Sequence, residues 1–310
     1  MESLNRMAVE LVDEAIDFAP ELGLAVHELD SGATVLDFGV EVPGGLETGL
    51  LLAEVTTAGL ATVNTTLDDV AGEPRTHVEV TTDHPATALL CSAKAGWELS
   101  VPGFEGLGSG PARALVAEEA EFEALGYADE FDLAVLAVES DELPGQPVAE
   151  HVAERAGVPR SAVYLPAFAT GSITGSVVSA ARAAELATFR LFELGYDPLD
   201  VLSVPSSAPV APPSDDEATA LARTTGVLAY GSRVHLVVAE PFDRFDEVAS
   251  TAAEEHGTSM AEAFDAAEWR FEGLSPSVFG PAQVTVDVRG GETRTYGAVH
   301  DDLLAESGAN

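Results

Sequence analysis

The most chemically distinctive residues of the chain are an arginine and a glutamate, three positions apart, in a region with very little charge. Arg182 and Glu185 lie in the segment 170–194, TGSITGSVVSAARAAELATFRLFEL, and no Asp, Glu, Lys or Arg occurs between Ser161 and Arg182. At this spacing two side chains share one face of a helix. A helix that is small and apolar all round is usually buried, and a buried ion pair is costly to maintain. The cost indicates a chemical task for the pair.

A buried carboxylate beside a guanidinium is suited to general-base chemistry. Burial alone raises the pKa of a carboxylate, and an adjacent guanidinium opposes that shift. In this interpretation Arg182 keeps Glu185 ionised and oriented, so that the carboxylate can deprotonate a water molecule or stabilise a nearby positive charge. The alternative interpretation is an ordinary helix salt bridge, which is the commonest role of such a pair.

The elements that must position this pair alternate between strands and helices along the whole chain. Apolar periodicity predicts a helix over residues 3–18, and alternating patterns predict hairpins around residues 30–32 and 289–291. Residues 226–240 are predicted as a long strand or a strand pair, and residues 241–257 as a helix. This alternation indicates an α/β fold with mixed sheets.

The length of 310 residues is enough for two domains. We expect an N-terminal α/β domain over residues 1–145 and a C-terminal α/β domain over residues 146–310. The boundary is approximate, and the domains need not be contiguous.

The charge balance is strongly acidic, with a formal net charge of -39 and 46% hydrophobic residues. Dispersed acid with a single lysine, Lys94, indicates adaptation to molar salt, where the Debye length falls to about 3 Å. The alternative is an acidic protein of an ordinary cytoplasm. The charge argues against a nucleic-acid partner, which needs clustered Lys and Arg.

Several other classes of protein are disfavoured. The single cysteine excludes a disulfide framework, and the seven histidines show no metal-ligand spacing, so no metal site is predicted. No G-x-S-x-G motif supports a serine hydrolase. The chain shows neither a signal peptide nor an apolar run of about 20 residues, so we expect a cytoplasmic protein without a membrane partner.

Three segments predicted as irregular also lack acid, although loops normally run over the surface. They are residues 106–117, 202–214 and 274–286, and they suggest rigid backbone around a pocket. The first contains Gly108-Ser109-Gly110, whose backbone N–H groups at a helix start could hold a phosphate or carboxylate. The alternative is a tight turn from strand to helix.

Taken together, these motifs carry a resemblance to a known family. The chain resembles archaeal-type methenyltetrahydromethanopterin cyclohydrolases over nearly its whole length. The resemblance rests on SLNRMAVELVDEAI at 3–16, GSGPARAL at 108–115, the segment 170–194, ARTTGVLAYGS at 222–232 and SPSVFGPAQVTV at 275–286.

The resemblance implies two α/β domains with a pocket between them, a homotrimer, and neither metal nor redox cofactor. The family's catalytic Arg-x-x-Glu pair falls on Arg182 and Glu185. Substrate-binding residues are expected in the other shared motifs, at Gly108, Ser109, Gly110, Arg113, Arg223, Ser275 and Ser277. The chain departs from the family at residues 223–226, which read Arg-Thr-Thr-Gly where Arg-Thr-Asn-Asp is more usual.

The implied reaction is the hydration of 5,10-methenyl-tetrahydromethanopterin to the N-formyl form, in one-carbon metabolism, with the pterin as substrate carrier. The methenyl carbon bridges two nitrogens in an amidinium-like cation, which a carboxylate such as Glu185 suits. One alternative is the same reaction on 5,10-methenyl-tetrahydrofolate. Others are a non-catalytic pterin-binding protein and a structural trimer whose acid-free segments form subunit contacts.

Overall fold

The computed structural model describes residues 2–308, which form two compact units. The first unit comprises the chain up to residue 62 and residues 86–178, and the second comprises residues 63–85 and the chain from 179 onward. Each unit is therefore discontinuous in sequence. The expected boundary between residues 145 and 146 falls inside the first unit, because the chain crosses between the units at other points.

Strands and helices alternate along the described residues. The strands are β1 (Ala25–Glu28), β2 (Thr34–Gly39), β3 (Thr62–Val70), β4 (Glu73–Thr82), β5 (Ala95–Val101), β6 (Phe104–Ser109), β7 (Ala134–Val135), β8 (Ala137–Glu139), β9 (Val163–Phe168), β10 (Val201–Pro209), β11 (Arg233–Val238), β12 (Gln283–Val288) and β13 (Thr293–Gly297). The α-helices are α1 (Leu4–Asp17), α2 (Ala19–Leu22), α3 (Leu46–Thr56), α4 (Ala112–Val116), α5 (Ala120–Leu125), α6 (Gln146–Ala156), α7 (Ile173–Ala181), α8 (Ala183–Glu193), α9 (Glu217–Gly231), α10 (Met260–Ala266) and α11 (Asp301–Gly308). A π-helix spans Ala86–Ala93.

Each unit contains one mixed sheet. In the first, the strand order is β1-β2-β9-β8-β6-β5, with β7 also beside β9, and β9 is parallel to β2, β7 and β8. In the second, the order is β13-β12-β11-β10-β4-β3, with β11 and β12 parallel. The predicted fold class, α/β with mixed sheets, is confirmed. No helix among the described residues is long and apolar enough to cross a membrane.

Predictions from local patterns are confirmed for α1 and for the two hairpins, but two longer segments differ. Residues 226–231, expected in a strand, continue helix α9 to Gly231, because a short buried apolar run has no periodicity that separates strand from helix. Residues 241–257, expected as a helix, form two 3-10 turns at Phe245–Glu247 and Ser250–Ala252. The Ser250 backbone N–H donates to Pro281 O instead of to a helical carbonyl.

A buried polar network fixes helix α1 in the first unit. Asn5 is fully buried, and its Nδ2 donates to Asp129 Oδ2 (2.9 Å) and to the Pro111 carbonyl (2.7 Å). Its Oδ1 accepts the Val135 N–H (3.0 Å). Buried polar atoms must be hydrogen-bonded, so one asparagine ties the start of the chain to two distant segments.

A buried ion cluster surrounds Arg113, one of the expected substrate-binding residues. Arg113 is fully buried, with Nε and Nη2 donating to Glu119, Nη2 also to Glu121 (3.0 Å), and Nη1 to the carbonyls of Leu90 and Ser92. Burial raises the pKa of Glu119, but the hydrogen bond and charge of Arg113 outweigh it and hold that pKa below its usual value. All donor groups of Arg113 are used internally, which indicates a structural role, and the substrate contact expected at this residue stays a prediction.

Arg113→Gln should therefore lower the free energy of unfolding by about 3 kcal/mol, because it removes one of the two cations that pair with the carboxylates of Glu119 and Glu121. Arg160→Gln is the matched control, since Arg160 pairs with Glu150 at the surface (2.6 Å) and should contribute less than about 1 kcal/mol. Denaturant unfolding in molar KCl measures both. Equal losses in the two variants would contradict the structural role of Arg113.

Two histidines meet in the second unit beside a buried tyrosine. His256 Nε2 lies 3.1 Å from His300 Nε2, and both rings pack on Tyr230. Burial, and secondarily the charge of His300, lowers the pKa of His256 below its ordinary value near 6.5. The folded chain thus favours neutral His256.

The sign of the resulting pH dependence follows from linkage. The unfolded chain protonates His256 at higher pH than the folded chain does, so the contribution to stability is complete above the unfolded pKa and is lost as the pH falls below it. The thermal midpoint should fall between about pH 7.5 and about pH 5.5, and His256→Gln should reduce that fall. His27→Gln, at an exposed residue of β1, is the control and should leave the fall unchanged. An unchanged slope in His256→Gln would contradict this account.

Candidate functional site

The segment expected as one long helix is two helices that meet at Arg182. Helix α7 ends at Ala181 and α8 begins at Ala183, with Arg182 as the residue before the first turn (φ -77, ψ -5). The Arg182 N–H donates to Ser179 O (3.1 Å), a bond of the tighter 3-10 type. The single-helix expectation is therefore corrected, although the i, i+3 relationship survives the break.

The arginine and glutamate form the predicted ion pair. Arg182 Nε donates to Glu185 Oε2 at 2.9 Å. The Glu185 side chain is only 2% exposed, whereas that of Arg182 is 28% exposed. Glu185 also lies in the first turn of α8, where the positive end of the helix dipole favours an anion. A buried carboxylate with one oxygen engaged by a cation is an arrangement that can orient and deprotonate a water molecule.

The small residues of α7 are explained by close packing within the first unit. A Cβ on Gly175 would lie 2.1 Å from Ala169 O, and one on Gly49 of α3 would lie 2.6 Å from Val177 Cβ. Real side chains do not approach that closely, so glycine is required at both positions. The low charge of α7 is therefore a consequence of its close packing.

The far end of α8 contacts one of the expected substrate-binding serines. Arg190 Nη2 donates to Ser277 Oγ (3.3 Å), and Arg190 Nη1 pairs with Glu193 (3.4 Å). Ser277 belongs to the 3-10 turn Pro276–Phe279, and the N–H of neighbouring Ser275 donates to Glu255 Oε1 (2.9 Å). Glu185 and Arg190 are five residues apart, which is about 7.5 Å along a helix axis.

The expected anion-binding loop is a strand followed by a tight turn. Gly108 and Ser109 belong to β6, where Gly108 pairs with Val138 of β8. Gly110 has a left-handed φ of +103°, and its N–H donates to Ser92 O (2.9 Å). The sheet and Ser92 already use backbone groups of this segment, and the substrate contacts expected at its three residues stay predictions. The alternative of a tight turn into helix α4 describes the segment.

The other two acid-free segments also contain much regular structure. Residues 202–209 belong to β10 and residues 283–286 to β12. Alternate strand residues pack inward, so the absence of acid there follows from the sheet.

The last expected residue, Arg223, lines a cavity of about 390 Å³ in the second unit. Arg223 lies in α9, and its Nη1 donates to Pro213 O (3.2 Å). Arg75 of β4 lines the same cavity and was not expected from the sequence, because sheet pairing brings it there from a distant position. Among residues 2–308 no cluster of three or more His, Cys, Asp or Glu side chains could hold a metal ion.

The sequence profile described as "Cyclohydrolase (MCH)" matches residues 3–307. A methenyltetrahydromethanopterin cyclohydrolase of Halobacterium salinarum is 56% identical over 99% of this chain and 98% of its own length. Proteins of the same name from Methanocella arvoryzae and Methanothermobacter marburgensis are each 36% identical over 99% of this chain and 98% and 99% of their own lengths. With the Arg182–Glu185 pair in place and similarity along nearly the whole chain, this protein belongs to the MCH cyclohydrolase family.

Proposed function

We propose that the chain hydrates the methenyl group of 5,10-methenyl-tetrahydromethanopterin to an N-formyl group. The observation that carries the proposal is Glu185, a carboxylate 2% exposed and bonded to Arg182 at 2.9 Å. The names of the relatives supply the substrate, since they are methenyltetrahydromethanopterin cyclohydrolases that match along 98% or more of their length.

The proposed chemistry uses the carboxylate as a base beside a cation. The oxygen of a water molecule bonds to the methenyl carbon while one water proton passes to Glu185. The addition converts the amidinium cation into a neutral adduct. One C–N bond of the adduct then breaks, and its electron pair stays with the nitrogen, which takes up a proton. The hydroxyl loses its proton as the formyl carbonyl forms. The sum is one water consumed and one proton released.

Arg182 acts on this chemistry through position and charge. Its Nε–H holds Glu185 Oε2, which fixes the plane of the carboxylate. Each carboxylate oxygen has two acceptor sites, so a bond to one oxygen is compatible with a water on the other. The positive charge of the guanidinium also lies beside the carboxylate that acts as the base.

Glu185→Gln should keep the fold and lower turnover by about 100-fold or more, because an amide cannot accept the water proton. Glu193→Gln is the matched control on the same helix, where the exposed glutamate pairs with Arg190. A methenyl-pterin absorbance assay in molar KCl measures both. Near-normal turnover in Glu185→Gln would overturn the proposed role.

Arg182→Ala should also lower turnover strongly. Partial recovery of turnover in Arg182→Lys would show how much of the effect of Arg182 comes from its charge and how much from the geometry of its guanidinium.

The carrier and the class of activity are tested by one comparison. Turnover of methenyl-tetrahydromethanopterin should exceed that of methenyl-tetrahydrofolate, which shares the reacting centre. Preference for the folate would favour the alternative carrier. Binding of either pterin without loss of its near-ultraviolet absorbance, unaffected by Glu185→Gln, would favour a non-catalytic pterin-binding protein.

The remaining implications of the resemblance are part of the same proposal. We infer a homotrimer that acts in the cytoplasm with no cofactor beyond the pterin. Substrate contacts at Gly108, Ser109, Gly110, Arg113, Arg223, Ser275 and Ser277 stay predictions.

A further inference from the structure

One cavity of the second unit has walls whose charge is unusual for this chain. The cavity of about 390 Å³ is lined by two arginines, Arg75 and Arg223, and one carboxylate residue, Glu73. Arg75 Nη2 pairs with Glu73 (3.3 Å), so the formal charge of these lining residues is that of Arg223 alone. A positive wall is unexpected in a protein with a net charge of -39.

Arg223 differs in its partners from most arginines of the second unit, and among the described residues it shares its lack of a carboxylate partner with Arg289, which lines a different cavity. Its Nη1 donates to the Pro213 carbonyl (3.2 Å), and no carboxylate among the described residues lies within 4.0 Å of its guanidinium nitrogens. Most other arginines of that unit pair with a carboxylate, as in Arg182, Arg190, Arg233, Arg244, Arg270 and Arg294. With 53 acidic residues in the chain, an arginine without one needs a reason.

The remaining walls of the cavity are apolar. Val70 of β3, Pro209 and Val210 at the end of β10, Val227 of α9 and Leu304 of α11 all face it. Val227 and Leu304 also belong to the hydrophobic core of this unit, so two of the walls rest on packed side chains. A cavity of this size falls within the range of about 300–1,000 Å³ that small-molecule sites occupy.

We propose that this cavity binds a small organic carboxylate, with its carboxyl group on Arg223 and its apolar body against Val227 and Leu304. The planar guanidinium matches a carboxylate in a two-point hydrogen bond. A single positive charge balances a monoanion. Apolar walls add burial of the ligand's hydrocarbon part, which chloride cannot supply even at molar concentration. Neither Arg182 nor Glu185 lines the cavity, so binding of a carboxylate here can be measured separately from turnover at that pair.

The test is a titration of 4-fluorophenylacetate with the full chain at fixed KCl concentration, in which ¹⁹F NMR measures the binding. Saturable binding is expected, and 4-fluorophenylacetamide, which is neutral, should bind about tenfold more weakly or worse. 4-Fluorophenyl phosphate should also bind more weakly than the carboxylate, because its second charge has no partner. Equal binding of the acid and the amide, or no saturable binding of the acid, would overturn the proposal. Tighter binding of the phosphate would overturn the choice of a carboxylate.

Variants assign the binding to Arg223. Arg223→Gln should weaken binding of the acid by about tenfold or more, and Arg223→Lys should weaken it less because the charge remains. Arg289→Gln is the control, since Arg289 lies in the same unit outside this cavity. Circular dichroism and the thermal midpoint verify folding. Unchanged affinity in Arg223→Gln would place the ligand elsewhere and overturn the proposal, and the lysine variant provides the same test if the glutamine variant does not fold.

Discussion

The structure depends on a constraint on its carboxylates, since each buried one must receive hydrogen bonds from N–H groups. The carboxylate of Glu185 accepts a hydrogen bond from Arg182, and that of Glu121 accepts hydrogen bonds from Arg113 and Lys94. Asp37 is fully buried and accepts the backbone N–H groups of residues 39–42. A buried ionised group without such partners would cost several kcal/mol. In a chain with 53 acidic residues, this rule decides which carboxylates stay at the surface.

Within that rule the two buried glutamates have different capacities. Glu121 is bonded to two cations inside the first unit, so its charge is enclosed and its role is structural. Glu185 is bonded through one oxygen to an arginine that is itself 28% exposed. The carboxylate of the pair is thus buried, while the guanidinium that holds it is partly exposed. Glu185, as the general base, needs a water molecule beside its carboxylate, and the exposed side of the pair is that of Arg182.

How much the sequence predicted depended on the range of the interaction. The Arg182–Glu185 contact spans one helical turn, so its geometry followed from spacing even though the long helix is broken at Arg182. Helix α1 and the hairpins were predicted for the same reason. The role of Arg113 was not, because Leu90 and Ser92 reach it from more than twenty positions away. Residues around Ser250 do not form the predicted helix, because the Ser250 N–H donates to the Pro281 carbonyl, a contact that no local pattern shows.

The scarcity of acid in the segment 170–194, which contains only Glu185 and Glu193, has two causes that the sequence alone does not separate. In α7 it follows from backbone contact, since Gly175 has no room for a side chain against Ala169. In α8 the flanking alanines are buried, and the informative residue is the single acid that remains among them. A segment without charged residues therefore indicates close packing. A charged residue that is kept within such a segment, as Glu185 is, indicates a function. Arg223 is a different case, because it is only half-buried and is marked by lining a cavity without an acidic partner among the described residues.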